Sequence, residues 1–241
     1  MKRRVSKCWA SCLGECSSPI SGEDVLTSGL FHETQIKVKG FSWCADDFRT
    51  IGINSFTKNV LCVKHNSMLS ETDNCAITLR DAVRGVVQLI EAREKLQPQE
   101  WQFEEFHVSG PLLERWFLKT LITLAVDNSA PIGRASFRAG EPARSLVRIA
   151  FGTKTFKPHA GLYWIGKAGK KEFIEGYEVG TFTDQSNRVA GARFGICGLE
   201  FMLIIDAGPT VEALPRHCCY RPETIAFDVH DRTSHAIRLD W

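Results

Sequence analysis

Leu61-Cys62-Val63-Lys64-His65-Asn66 is the stretch on which the reading of this chain turns. Cysteine and histidine in a Cys-x-x-His spacing sit on one tight turn, and both side chains can face a single ion. Such a pair also arises by chance, so it needs partners elsewhere. They are available upstream, where Cys8, Cys12 and Cys16 crowd together. Two of these would complete a four-ligand tetrahedral zinc site with Cys62 and His65.

The rest of the composition bounds what such a site serves. The chain has 241 residues, 44% hydrophobic and 24% charged, enough for one large domain or two modest ones. Net charge is +2, so no overall field advertises nucleic acid and any DNA-binding reading rests on local patches. Nine cysteines is an odd count, awkward for a disulfide-bonded secreted protein. Met1-Lys2-Arg3-Arg4 is basic but no apolar run follows, so no signal peptide is expected. No stretch approaches the roughly 18 apolar residues of a membrane span. These features point to a reducing, cytoplasmic setting in which clustered thiols are metal ligands or core residues.

Outward from the Cys/His stretch, helical periodicity is expected from Ser70, where Ser70-Glu71-Thr72-Asp73 has the layout of a capping box. Ala76, Leu79, Val83, Val86, Val87 and Ile90 trace the buried face, with Arg80, Asp81 and Arg84 opposite. The pattern decays through Glu94-Lys95 and stops at Pro98. A second helix opens at Ser109-Gly110-Pro111 and carries Leu112, Leu113, Trp116, Phe117, Leu121 and Leu124, a face broad enough to be packed on two sides. Arg115 and Lys119 occupy its narrower polar edge. Strands separated by glycines follow, expected over 146–151, 161–165, 172–181, 188–194, 199–206, 224–230 and 235–241. The expected fold class is α+β: an N-terminal zinc module over residues 1–75, a helical connector over 76–130, and an antiparallel β-rich domain over 131–241.

The segment from Cys16 to Ser28, with Glu23-Asp24 inside it, resembles the first half of an HNH module of the ββα-metal, treble-clef type; Asn54, Asn59 and Cys62-Val63-Lys64-His65-Asn66 resemble the second half. The resemblance covers residues 8–70. It implies Cys62 and His65 as structural zinc ligands, completed by Cys16 and by either Cys12 or Cys8, with Cys12 preferred. It further implies Glu23 and Asn66 as holders of a second, catalytic cation such as Mg2+. Asp24 stands where the family carries the histidine that takes a proton from the attacking water. An ordinary aspartate has a pKa near 3.9, too low for a good proton acceptor at neutral pH.

Three functions follow as expectations. The first is a DNA-directed, metal-dependent nuclease or a derivative of one, acting on foreign or modified DNA. The second is a base glycosylase with Asp24 as its catalytic carboxylate. The third is a non-enzymatic, zinc-stabilised binding module. For DNA contact the candidates are Lys64, Arg115, Lys119, Tyr163 and Trp164, the last two from an aromatic-plus-basic stretch of the kind that stacks bases. Arg134, Arg138, Arg144 and Arg148 form the densest basic run, read as a solvated face. His32, His107, His159, His217, His230 and His235 lack paired ligand spacing, and adjacent Cys218 and Cys219 have diverging side chains.

Overall fold

A computed structural model describes residues 8–31, 34–40, 44, 46–93, 102–127, 130–133, 140–166, 176–206, 214, 217–229 and 232–241. His32, His230, Arg134, Arg138, the Glu94-to-Pro98 stretch and the start of the strand expected over 172–181 lie outside them.

The N-terminal unit is a hairpin closed by a helix. Strand β1 (Ile20–Asp24) pairs antiparallel with β4 (Thr57–Cys62), in a register that sets Ile20 opposite Cys62 and Glu23 opposite Lys58. Between them run β2 (Gln35–Lys39) and β3 (Arg49–Gly52). From β4 the chain enters the short helix α1 (Val63–Ser67) and then α2 (Ser70–Arg93). The capping box is not formed as expected. The Ser70 hydroxyl donates to Ser67 O, and the Asp73 amide donates to Leu69 O at 3.0 Å, because helical backbone is already under way when Ser70 is reached. Arg80, expected on the open face of α2, is buried; it donates to Gly29 O and pairs with Asp81.

Strand β5 (Glu104–Ser109) leads into α3 (Gly110–Asp127), whose Trp116, Phe117, Leu118 and Leu121 are fully buried. The helix packs on α2 along one side and on the sheet strands along the other, as its broad apolar face requires. The next element departs from expectation. Residues 146–151 are not a strand: Arg144–Ala150 forms helix α4, ended by Gly152 at φ +70°. Val147 and Ile149 alternate like strand residues, yet Leu146, Val147, Ile149 and Ala150 together make one helical face, and burial against the core selects it.

The remaining strands are β6 (Gly161–Ile165), β7 (Tyr177–Thr183), β8 (Val189–Ile196), β9 (Leu199–Ile204), β10 (Cys218–Tyr220), β11 (Thr224–Val229) and β12 (Arg232–Asp240). One sheet runs β10-β6-β9-β8-β7-β2-β3 and a smaller one β11-β12-β5. The fold is α+β, but neither sheet is purely antiparallel: β2 pairs parallel with β7, and β5 parallel with β12. Strands from before and within the helical region thus extend both C-terminal sheets. Among the described residues no helix is long and apolar enough to cross a membrane.

Candidate metal centre

Cys62 is the last residue of β4 and the N-cap of α1, so His65 falls one turn into the helix and its backbone amide approaches the Cys62 sulfur at 3.5 Å. The upstream cysteines are delivered by a short loop. Trp9 N donates to Val60 O at 2.9 Å, laying Cys8 alongside β4. A 3-10 turn (Ser11–Leu13) and the positive φ of Gly14 and Glu15 then bring the chain back at Cys16. Ser17 Oγ accepts from the Lys64 amide, and Lys64 Nζ pairs with Glu15, fastening this loop to α1.

The result is a cluster of Cys8, Cys16, Cys62 and His65 whose ligand atoms all lie within 4.8 Å of one another. His65 Nδ1 has the three sulfurs at 3.4, 3.7 and 3.2 Å respectively. One imidazole nitrogen offers either a single N–H or a single lone pair, so it cannot hydrogen-bond three thiols at once. A shared cation explains the arrangement. With metal–sulfur bonds of about 2.3 Å and a metal–nitrogen bond of about 2.0–2.1 Å, a tetrahedron sets sulfur to nitrogen at about 3.5 Å, which the three distances straddle. The cluster can therefore hold a metal ion such as zinc.

The local electrostatics favour ligation at Cys62 and His65 and oppose it at Cys8, whose thiol a bound cation would have to deprotonate. Burial pushes the Cys8 thiol up to about 12. Burial works the same way on Cys62, but the amides of His65 and Ser17, the Ser17 hydroxyl and Cys8 outweigh it and bring Cys62 down to about 7. Burial, helped by Lys64, lowers His65 and keeps the imidazole neutral, the form that donates a lone pair. The ring also meets Phe151 edge-on at 5.5 Å, and Phe151 meets Trp9 at 5.7 Å. The cluster is thus packed against the end of α4.

No family model, curated protein or solved structure matches this chain.

Of the five candidate ligands, Cys8, Cys16, Cys62 and His65 come together and Cys12 does not. Cys12 lies in the 3-10 turn, where burial raises its thiol and Arg144 and Arg148 oppose that rise. Cys8 takes the place for which Cys12 was preferred: its sulfur, not that of Cys12, lies within 4.8 Å of the other ligand atoms.

The residues expected to act on DNA do not share one cleft. Successive strand residues face opposite sides, so Glu23 and Asp24 diverge. Glu23 is 1% exposed and pairs with Lys119 Nζ at 2.5 Å, which removes it from any open cation site. Asp24 accepts from the Ser28 amide at 3.2 Å and from Thr57 Oγ1 at 3.0 Å, bracing the two ends of the β1–β4 insertion. Asn66 Nδ2 donates to Gly22 O and Ser21 Oγ, tying α1 to β1. Among the described residues, no second group of three or more His, Cys, Asp or Glu side chains converges as metal ligands would.

The expected DNA contacts fare unevenly. Lys119 is 1% exposed and cannot reach a phosphate; it bridges Glu23 and Asp73. Tyr163 is 4% exposed, packs on Tyr220 and donates to His159 O, so its ring is not free to stack a base. Trp164 is half-buried, with Nε1 inside the protein. The Arg115 guanidinium lies against Gly152. Lys64 remains exposed but is paired with Glu15.

Sequence reasoning missed a polar network inside the protein. Asp73 Oδ1 accepts from Lys119 Nζ and from Thr27 Oγ1, both at 2.5 Å, and Thr27 Oγ1 accepts from Trp116 Nε1 at 2.8 Å. This joins α2, α3 and the turn after β1, and through the Lys119–Glu23 pair it reaches β1 itself. Burial, opposed by Lys119, pushes the Glu23 carboxyl up to about 7, since one ammonium must serve two carboxylates. The sequence signal for it was slight: Lys119, read with Arg115 on the narrower polar edge of α3, stands between Leu118 and Leu121.

Proposed function

We propose that this protein is a zinc-stabilised binding module. Its N-terminal unit is a treble-clef-type centre: Cys8 and Cys16 from the loop and Cys62 and His65 from the start of α1 hold one structural Zn2+. The observation that carries this reading is the presence of three sulfurs around one imidazole nitrogen at tetrahedral spacing. All four ligand positions are filled by protein, the closed set of a structural zinc; a catalytic zinc keeps one position for water or substrate. The ion adds a clasp to a loop whose Trp9 and Ala10 are already buried, fixing it onto β4 and α4.

The binding-module reading is favoured over a nuclease or glycosylase because Glu23 is committed to Lys119, and Asp24 and Asn66 to backbone and hydroxyl groups of the hairpin. Purified protein is expected to leave plasmid DNA un-nicked with Mg2+ or Mn2+ present, and to produce no alkali-labile sites in unmodified or modified duplexes. Nicking or base removal by the wild type that is lost in Asp24→Asn would overturn the reading.

A further inference from the structure

A cavity of about 560 Å3 opens where the β1–β4 hairpin, the end of α3 and strands β7 and β8 meet. Its walls include Val25, Ile51, Phe56, Leu124, Val179 and Val189. That volume falls in the range of small-molecule sites, roughly 300–1,000 Å3, and the combination of apolar walls with a few polar groups is their usual make-up. The polar groups include Lys58 and Asp127, which pair at 3.1 Å and remain 38% and 34% exposed. A pair this exposed contributes little to stability and is readily exchanged for a ligand's charge.

Which of the two charges a ligand would replace follows from α3. The helix runs for 18 residues, has no basic residue in its last turn, and ends on Asp127 itself. Its C-terminal carbonyls carry partial negative charge, and a carboxylate there adds to it. One of these carbonyls, Ala125 O, is already capped by the Ala130 amide; among the described residues the cation paired at this end is Lys58, which comes from another element. Lys58 thus meets a carboxylate and a negative helix end together.

We infer that this cavity binds a small amphipathic amine, its apolar body between the hairpin and the sheet and its ammonium on Asp127 in place of Lys58. This deepens the binding-module reading and rests on it. The test uses the full zinc-containing chain and two probes of similar length and opposite head charge, 4-phenylbutylamine and 4-phenylbutyrate, titrated by calorimetry. The amine is expected to bind once per chain, about tenfold more tightly than the acid. Asp127→Asn should weaken the amine about tenfold, whereas Lys58→Met, by removing its competitor, should tighten it. Thr181→Trp, which fills the cavity from an exposed strand position, should abolish binding. A preference for the acid, with the Lys58 and Asp127 effects exchanged, would overturn the charge assignment. Binding of neither probe, or undiminished binding in Thr181→Trp, would overturn the site. Zinc content measured on the same samples separates the failures: full zinc without binding removes the cavity proposal alone, and folded protein without zinc removes the reading beneath it.

Discussion

Replacing Glu23 by glutamine keeps the shape of the side chain and leaves Lys119 its second carboxylate, Asp73, at 2.5 Å. The substitution therefore isolates the charge of one buried group. In the fold Glu23 holds its proton up to about pH 7, against an ordinary value of 4.5. Between these two values the unfolded chain has released the proton while the folded chain retains it. A group whose folded pKa is raised contributes most below its unfolded pKa, and that contribution is lost as pH rises towards the folded one. The glutamine variant has no such proton. At about 1.4 kcal/mol per unit, the wild type should lose about 2 kcal/mol relative to Glu23→Gln between pH 5.5 and pH 8. Urea unfolding of both proteins at those two pH values, with zinc content checked in each, measures the difference directly. A stability difference that stays constant with pH would refute the buried, proton-sharing placement of Glu23. One that moved in the wild type's favour as pH rose would mean that Glu23 is fully ionised and well paired.

Lys119→Met should cost about 3–5 kcal/mol in the same assay, because it strands the buried Glu23 and removes the cation shared with the half-buried Asp73; a loss below about 1 kcal/mol would place Lys119 at the surface. Trp116→Ala should cost about 3–5 kcal/mol for a fully buried ring that also gives up its bond to Thr27, and a negligible shift in midpoint would show α3 to be peripheral. Cys8→Ser should lose the metal by elemental analysis while Cys12→Ser keeps it; the opposite pattern would restore Cys12 to the ligand set.

Local pattern made the helices legible. The spacing of Ala76, Leu79, Val83 and Val86 and the breadth of the Trp116 face gave α2 and α3 nearly to their ends, since a helix is written in neighbours three and four apart. The strand expected over 146–151 is instead part of α4 because so short a segment, with Val147 and Ile149 two apart, fits either period, and only burial against the rest of the core decides. The parallel pairings of β2 with β7 and β5 with β12 join residues far apart in the chain, and no local signal encodes such a register. At the site, Cys62 and His65 were readable because one helical turn unites them. The choice of Cys8 over Cys12 was not, because it depends on the sense of a 3-10 turn and on a glycine at φ +84°. Glu23 looked like a metal ligand and Lys119 like a phosphate contact for the same reason: their partnership spans β1 and α3, and each residue alone reads as an exposed charge.

The most direct test of the central claim is X-ray absorption at the zinc edge on protein purified without added metal and quantified by elemental analysis. One zinc per chain is expected, with three sulfurs at about 2.3 Å and one nitrogen at about 2.0–2.1 Å. Folded protein without metal, or a first shell containing oxygen and fewer than three sulfurs, would contradict a closed structural centre built from Cys8, Cys16, Cys62 and His65.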